Sequence, residues 1–140
     1  MSLKQIKNTL EAYLIANVTT VPIKMEETTL YRLNGVALTQ AQIDSLDFFI
    51  EPVIIQISSD REIMSTSTPF LYEIFFQINI YSKIGDGMGL TATQIVALDS
   101  IFREKIISDV VCSRISVLNK YYNGSHVVVP YRVLASLRAN

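Results

Sequence analysis

Residues 70–89, FLYEIFFQINIYSKIGDGMG, constrain the fold of this chain more than any other segment. Every second residue from Phe70 to Ile80 is apolar, and the residues between them are a mixed and partly polar set. Because side chains alternate across a strand, this pattern predicts a long strand with one face in a core and the other half exposed to water. The glycine-rich residues 83–89 then end the strand, and an amphipathic helix follows.

The first third of the chain is predicted to begin with a helix. Apolar residues recur at intervals of three and four over residues 3–16, with Ser2 as the N-cap. Residues 22–31 contain a proline and charges and predict a short strand at a sheet edge. Residues 32–47 are interpreted as an insertion, in which Thr39 and Gln42 form a capping box before one or two helical turns.

A second long strand is predicted at residues 48–62, with Val53 and Ile55 on the same face. Pro52 indicates an edge, a bulge or a strand start. Residues 63–69, IMSTSTP, join the two long strands, and their small polar tip predicts an extended hairpin.

The last third is predicted to contain a helix and a closing hairpin. Thr91 and Gln94 form a second capping box, and the predicted buried stripe of that helix consists of Ile95, Leu98, Ile101, Phe102 and Ile106. Strands at 110–121 and 125–137 flank Asn123-Gly124, a strong hairpin signal, and Pro130 implies that the last strand is bulged or at an edge. The whole, residues 1–140, is predicted to be one α+β domain: an antiparallel or mixed sheet with both helices on one face.

Composition favours self-association. Charged residues are 18% of the chain, hydrophobic residues are 49%, and the mean hydropathy is +0.30. Apolar surface beyond what a small core needs is usually hidden against a copy or a partner. The net charge is −1, and the basic residues form no stripe along the sequence. The chain therefore lacks the positively charged surface that direct nucleic-acid binding requires. A single cysteine fits a reducing compartment, and neither a membrane span nor a signal peptide is expected.

Catalytic and cofactor-binding motifs are not recognisable in the sequence. Residues 85–90 fail the G-x-G-x-x-G spacing, and Asp86 would repel a phosphate. His126 follows the hairpin turn without a partner fixed by spacing, and it is interpreted as an exposed turn residue. Cys112 lies in an apolar run and is interpreted as a small buried hydrophobe. The sequence therefore predicts that the protein is not an enzyme and holds neither cofactor nor metal.

The order of these elements resembles the tail terminator, or tail completion, proteins of long-tailed bacteriophages. The resemblance covers nearly the whole chain: the helix at 3–16, the strand around 22–27, the long strands at 48–62 and 70–82, the glycine loop at 83–89, the helix at 91–107 and the hairpin at 110–137. Many members carry a tryptophan near the first strand, where this chain has Val21-Pro22-Ile23, and residues 32–47 also depart from the pattern.

The resemblance implies a structural protein of the virion. Such proteins form a hexameric ring that caps the tail tube protein, stops tube polymerisation and joins the tube to the head-side connector protein. DNA passes through the lumen without specific binding, and no membrane is involved. The expected location is the tail–neck region of the virion, with assembly in the host cytoplasm. Another head–tail joining protein and a small-ligand or regulatory binding module are the alternatives.

Two sets of residues are expected to contact the tube or neighbouring subunits. The first set is the predicted hairpin tip and the glycine loop: Ile63, Met64, Ser65, Thr66, Ser67, Lys83, Asp86 and Met88. The second set is Arg114 and Arg132 of the C-terminal hairpin, which serve either surface solubility or intersubunit ion pairing.

Overall fold

The computed structural model describes residues 3–26, 29–56 and 70–138. Ser2, the predicted N-cap, and the hairpin tip at 63–69 lie outside this part of the chain. The elements in chain order are α1 (Leu3–Asn17), β1 (Ile23–Lys24), β2 (Tyr31–Leu33), β3 (Val36–Ala37), α2 (Gln40–Asp44), β4 (Phe48–Gln56), β5 (Phe70–Lys83), α3 (Gly89–Phe102), β6 (Ile106–Ile107), β7 (Val110–Val117), β8 (Tyr121–Asn123) and β9 (His126–Arg138).

The described strands form a single open sheet in the order β3-β2-β1-β4-β5-β9-β7-β6, and β8 pairs with the first residues of β9. Every pair is antiparallel except β1 and β4, which are parallel. The helices α1 and α3 pack on the same core. The α+β prediction, with its mostly antiparallel sheet and N-terminal helix, is confirmed.

The core lies between this sheet face, called the inner face, and the helices α1 and α3. Strand β5 contributes Ile74, Phe76, Ile78 and Ile80, which are the alternate apolar residues that the sequence pattern assigned to the core. Its neighbour β9 contributes Tyr131, Val133, Ala135 and Leu137, and the helices contribute Ile6, Leu10, Leu14, Leu98 and Phe102. Burial of each large side chain stabilises the fold by about 1.5–3 kcal/mol.

Pro52 lies inside β4, two residues beyond Ile50, the position at which β4 pairs with the short strand β1. The amide of Ile50 donates to the carbonyl oxygen of Pro22 at 3.0 Å, and the amide of Ile54 donates to Oε1 of Glu26 at 2.8 Å. Pro52, between them, has no N–H to satisfy. Strand β4 lies between β1 and β5, so the edge interpretation of Pro52 holds only locally: among the described residues β1 pairs with β4 at Ile50 alone, and the Glu26 carboxylate accepts the Ile54 amide.

Pro130 contradicts the prediction that the last strand is at an edge. Strand β9 is central, with β5 on one side and β7 and β8 on the other. Its proline is tolerated because the neighbouring chain is interrupted between Val117 and Tyr121, where Leu118 donates its amide to the Pro130 carbonyl oxygen at 2.9 Å. The register shift of the neighbouring strand β7 lies between Cys112 and Ile115, opposite Ala135 and Val133, and β9 itself continues through Pro130.

The prediction for α3 needs two corrections. The helix begins at Gly89, after Met88, whose side chain makes no capping hydrogen bond; Thr91 and Gln94 are buried in the first turns. The second capping box is therefore wrong, because these side chains face the core. The helix also ends at Phe102, and Ile106 is an exposed residue of β6.

The segment before β4 contains more regular structure than the short edge strand and the insertion that the sequence predicted. In place of one strand over 22–31, β1 and β2 form a hairpin that β3 extends. The first capping box is confirmed: the Gln42 amide donates to Oγ1 of Thr39, and the Thr39 amide donates to Oε1 of Gln42. Helix α2 is one short turn, as the sequence predicts.

Candidate functional site

Helix α3 exposes an apolar surface. Its buried residues Thr91, Gln94, Leu98 and Phe102 face the sheet. The positions that face outward are all uncharged: Leu90, Ala92, Thr93, Val96, Ala97 and Ser100. Leu90 is 57% exposed and Val96 is 69% exposed. A helix that is apolar on both sides is normally buried on both sides, so this outward face is unusual for a surface helix.

The loop before α3 extends this apolar surface. Ile84 and Met88 are exposed, and together with Leu90 and Val96 they are called here the α3 patch. The amide of Ile84 donates to the carbonyl oxygen of Ser125 at 2.9 Å, which holds the loop against the turn between β8 and β9. Gly85 and Gly87 have φ values of +100° and +78°, a region that favours glycine.

The loop residues selected from the sequence lie in different environments. Lys83, the last residue of β5, is 3.8 Å from Oδ1 of Asp47, and both side chains are exposed. Asp86 is exposed in the turn, and Met88 directly precedes α3. The five residues of the predicted hairpin tip, Ile63 to Ser67, lie outside the described residues. The structure therefore brings Met88 into the α3 patch and leaves Lys83 in a surface ion pair.

The opposite sheet face, called the outer face, carries an aromatic cluster that the sequence analysis did not identify. The rings of Phe49 and Tyr81 stack with centroids 4.5 Å apart, and Tyr31 and His126 pack edge-on against Phe49 at 5.3 and 5.5 Å. Nε2 of His126 is buried without a hydrogen-bond partner. His126 is therefore partly buried in an aromatic environment and is not the exposed turn residue that its sequence position predicted.

The carboxylate of Glu51 lies beside this cluster and accepts two hydrogen bonds. Nζ of Lys24 donates to Oε2 of Glu51 at 2.8 Å, and the Tyr81 hydroxyl donates to Oε1 of Glu51 at 3.2 Å. Burial, and next the nearby negative charge of Glu51, raise the pKa of Tyr81 to about 12. Glu51 thus has a hydrogen-bond donor on each of its oxygens.

Arg132 belongs to a second polar group on the outer face. Its Nε and Nη2 donate to Oε1 of Gln77 at 3.0 and 2.7 Å, and Nε2 of Gln77 donates to Oδ1 of Asn79 at 2.8 Å. The guanidinium carbon lies 4.7 Å from the centroid of the Phe75 ring. Gln77 and Asn79 are only 9% and 7% exposed, so the prediction that this face of β5 is wet is wrong at its centre.

Arg114 and Cys112 differ in accessibility. Arg114 is exposed in the irregular part of β7, where the pairing register with β9 shifts between Cys112 and Ile115. Cys112 is buried, as its apolar surroundings in the sequence predicted, and burial raises the pKa of its thiol to about 11. A thiol with a raised pKa is a poor nucleophile at neutral pH.

Within the described part of the chain, no three His, Cys, Asp or Glu side chains come together in a way that could hold a metal ion. The same residues contain no helix that is both long and apolar enough to span a membrane.

Comparisons with known proteins inform the fold alone. No protein-family model matches this chain. No curated protein matches it either. A solved structure whose name indicates no function is 16% identical, with a TM-score of 0.68, over 100% of this chain and 98% of its own. The similarity therefore extends over the complete α+β arrangement.

Proposed function

We propose that this chain is a ring-forming structural subunit of the tail terminator kind, which caps the tail tube of a long-tailed bacteriophage and joins it to the head. The observation that carries the proposal is the α3 patch. Its four side chains are apolar and exposed, and the intervening outward positions of α3 have no charge. Exposed apolar surface of this kind usually marks a site where another protein binds and removes it from water.

The location of the patch supports contact with a repeating partner. The loop at 83–89 is hydrogen-bonded to the β8–β9 turn, and exposed Tyr121 and Tyr122 lie on β8, so apolar and aromatic groups gather at this end of the sheet. A contact between two different surfaces of identical subunits closes into a ring when the rotation allows it.

Ring closure suggests a mechanism for termination. One ring face copies the stacking surface of the tube protein, whereas the opposite face does not, so the next tube subunit finds no complementary surface. The head-side connector protein then binds that opposite face. In this arrangement DNA passes through the lumen without specific binding, and the protein is located in the tail–neck region of the virion.

The test compares the wild-type chain with a charged variant of the α3 patch. Val96→Glu introduces a carboxylate into the outward face of α3, and burying it without a partner opposes association. Asn8→Glu, at an exposed position of α1, is the matched control. Light scattering over a concentration series and negative-stain imaging with tail tubes from the same source measure ring formation and capping.

We expect the wild-type chain and the Asn8→Glu variant to form hexamers, or to form rings on tube ends only. Val96→Glu should require a concentration at least about tenfold higher for the same association. A wild-type chain that stays monomeric at every concentration and ignores tube ends would overturn the proposal and favour a ligand-binding module. Equal association of all three proteins would show that the α3 patch is not the contact.

A further inference from the structure

Within the part of the chain that the structure describes, the Arg132 guanidinium is fixed in place without a carboxylate. Its two hydrogen bonds both go to one neutral amide oxygen, that of Gln77, which is itself held by Asn79. The Phe75 ring lies against the guanidinium. An arginine has five N–H donors in a planar fork, so at least half of this fork is left for another acceptor.

Among the described residues, no carboxylate lies within ion-pair distance of Arg132. Its cross-strand partners on β5 and β7 are Gln77 and Ser116. Lys7, Lys24, Lys83 and Arg103 each have a carboxylate within 4 Å, but among the described residues Arg132 forms no such ion pair. Glu51, on the same face, already accepts hydrogen bonds from Lys24 and Tyr81.

We propose that Arg132 is the receptor for an acidic side chain of a neighbouring copy of this chain, so that the outer sheet face forms part of the contact between subunits. The inference rests on the ring function proposed above and adds the chemistry of one intersubunit contact. A carboxylate matches the planar fork and can accept two parallel hydrogen bonds. Holding the fork beforehand by Gln77 and Phe75 reduces the entropy lost on binding.

A second copy can supply the complementary charge. The chain has 13 acidic and 12 basic residues. Asp86 and Asp109 are exposed, and neither forms an ion pair with any described residue. Arg132 and these acids lie on different parts of the subunit, which suits a contact between unlike surfaces and hence a ring.

The main test replaces Gln77 with glutamate. Gln77→Glu places a carboxylate where the amide oxygen now accepts, so Arg132 becomes neutralised within its own subunit. Arg132→Gln removes the charge, and Lys4→Gln removes an exposed positive charge of α1, outside the expected contact residues, as the matched control. Urea unfolding checks that each variant is folded, and sedimentation measures assembly, alone and with tail tubes.

We expect Gln77→Glu to unfold at a urea concentration at least as high as that of the wild type, yet to assemble at least about tenfold more weakly. Arg132→Gln should also assemble weakly, whereas Lys4→Gln should assemble as the wild type does. If the wild type assembles and both Gln77→Glu and Arg132→Gln assemble equally well, the inference is wrong and the ring proposal stands.

A second arm does not depend on ring formation. The Arg132 Nε–H signal in ¹⁵N NMR spectra is followed in the monomer while glutarate, a dicarboxylate, or inorganic phosphate is added. We expect glutarate to shift this signal more than phosphate does, and to leave it unchanged in Gln77→Glu. A signal that responds to neither anion, or equally to both, would overturn the assignment of a carboxylate receptor even if no ring is observed.

Discussion

The two faces of β5 are buried by different means. On the inner face, Ile74 to Ile80 are covered by α1 and α3, which form a second layer. On the outer face, Gln77 and Asn79 are nearly as inaccessible, yet their contacts are side chains of the sheet itself, such as Arg132. Burial therefore does not require a second layer when polar side chains form hydrogen bonds to one another across strands.

The difference also separates stability from recognition. Inner-face contacts are non-directional, and their contribution grows with the apolar area removed from water. Outer-face contacts fix the orientation of particular groups, the Arg132 guanidinium and the Glu51 carboxylate among them. We therefore expect substitutions on the inner face to change the free energy of unfolding most, and outer-face substitutions to change binding or pH dependence.

The largest effect is expected at Phe76, which is completely buried and whose ring centroid is 5.8 Å from that of Phe102. Phe76→Ala should lower the free energy of unfolding by about 3–5 kcal/mol, because the cavity adds to the lost transfer energy. Urea denaturation measures the change. Val96→Ala on the exposed face of α3 is the control and should stay within about 0.5 kcal/mol of the wild type.

If Phe76→Ala does not fold, Phe76→Leu provides the same comparison, with an expected loss below about 1.5 kcal/mol. A loss at Phe76 no larger than that at Val96 would mean that the helices α1 and α3 do not close the inner face, and the two faces of β5 would not differ in how they are buried.

The inner face could be predicted from the sequence because its signal is local. The alternation of Ile74, Phe76, Ile78 and Ile80 depends on neighbours two positions apart. The outer face could not, because Gln77 is buried by Arg132, which is 55 residues away in the chain. A polar residue in the sequence is a sign of contact with water only if no side chain from a distant strand covers it in the fold.

Helix α3 shows a related limit of short patterns. The capping motif at Thr39 is realised in α2, whereas the same kind of motif at Thr91 lies one turn inside α3, facing the core. Helical periodicity nevertheless placed the buried side correctly, because Leu98 and Phe102 are buried and Ile95 and Ile101 are partly buried against the core. The α3 patch was visible only after α3 was placed on the sheet, because it joins residues of the helix to Ile84 and Met88 of the preceding loop.

An intermediate effect is expected at Tyr131, the polar group that interrupts the inner face. Its side chain is fully buried, and its hydroxyl donates to Oδ1 of Asp99 on α3 at 2.6 Å. Tyr131→Phe should lower the free energy of unfolding by about 1.5–3 kcal/mol, the contribution of a hydrogen bond to a charged group. Urea denaturation beside Tyr122→Phe, an exposed control, measures it.

Equal stability of the Tyr131→Phe variant and the wild type would mean that apolar packing alone holds α3 on the sheet. Directional contacts would then contribute on the outer face only, and the two faces would differ more than the Tyr131 hydrogen bond implies.

The smallest effect is expected at Tyr81 on the outer face, and it is confined to alkaline pH. Burial, with Glu51 as the next cause, raises the pKa of its hydroxyl from 10.0 to about 12 in the folded protein. An acid whose folded pKa is raised favours the folded state while it is neutral, so this contribution is complete below pH 10 and declines as pH rises toward 12.

Tyr81→Phe should therefore make the fall in the free energy of unfolding between pH 10 and pH 12 shallower. The measurement is urea denaturation at a series of pH values, together with tyrosinate absorbance in the native state. Glu51→Gln should shift the Tyr81 titration to lower pH but not to its ordinary value, because burial is the larger cause. If Glu51→Gln restored the ordinary value, the outer face would be open to water at Tyr81. The outer face would then not be buried by neighbouring side chains at this end of the sheet, and the contrast between the two faces would not hold there.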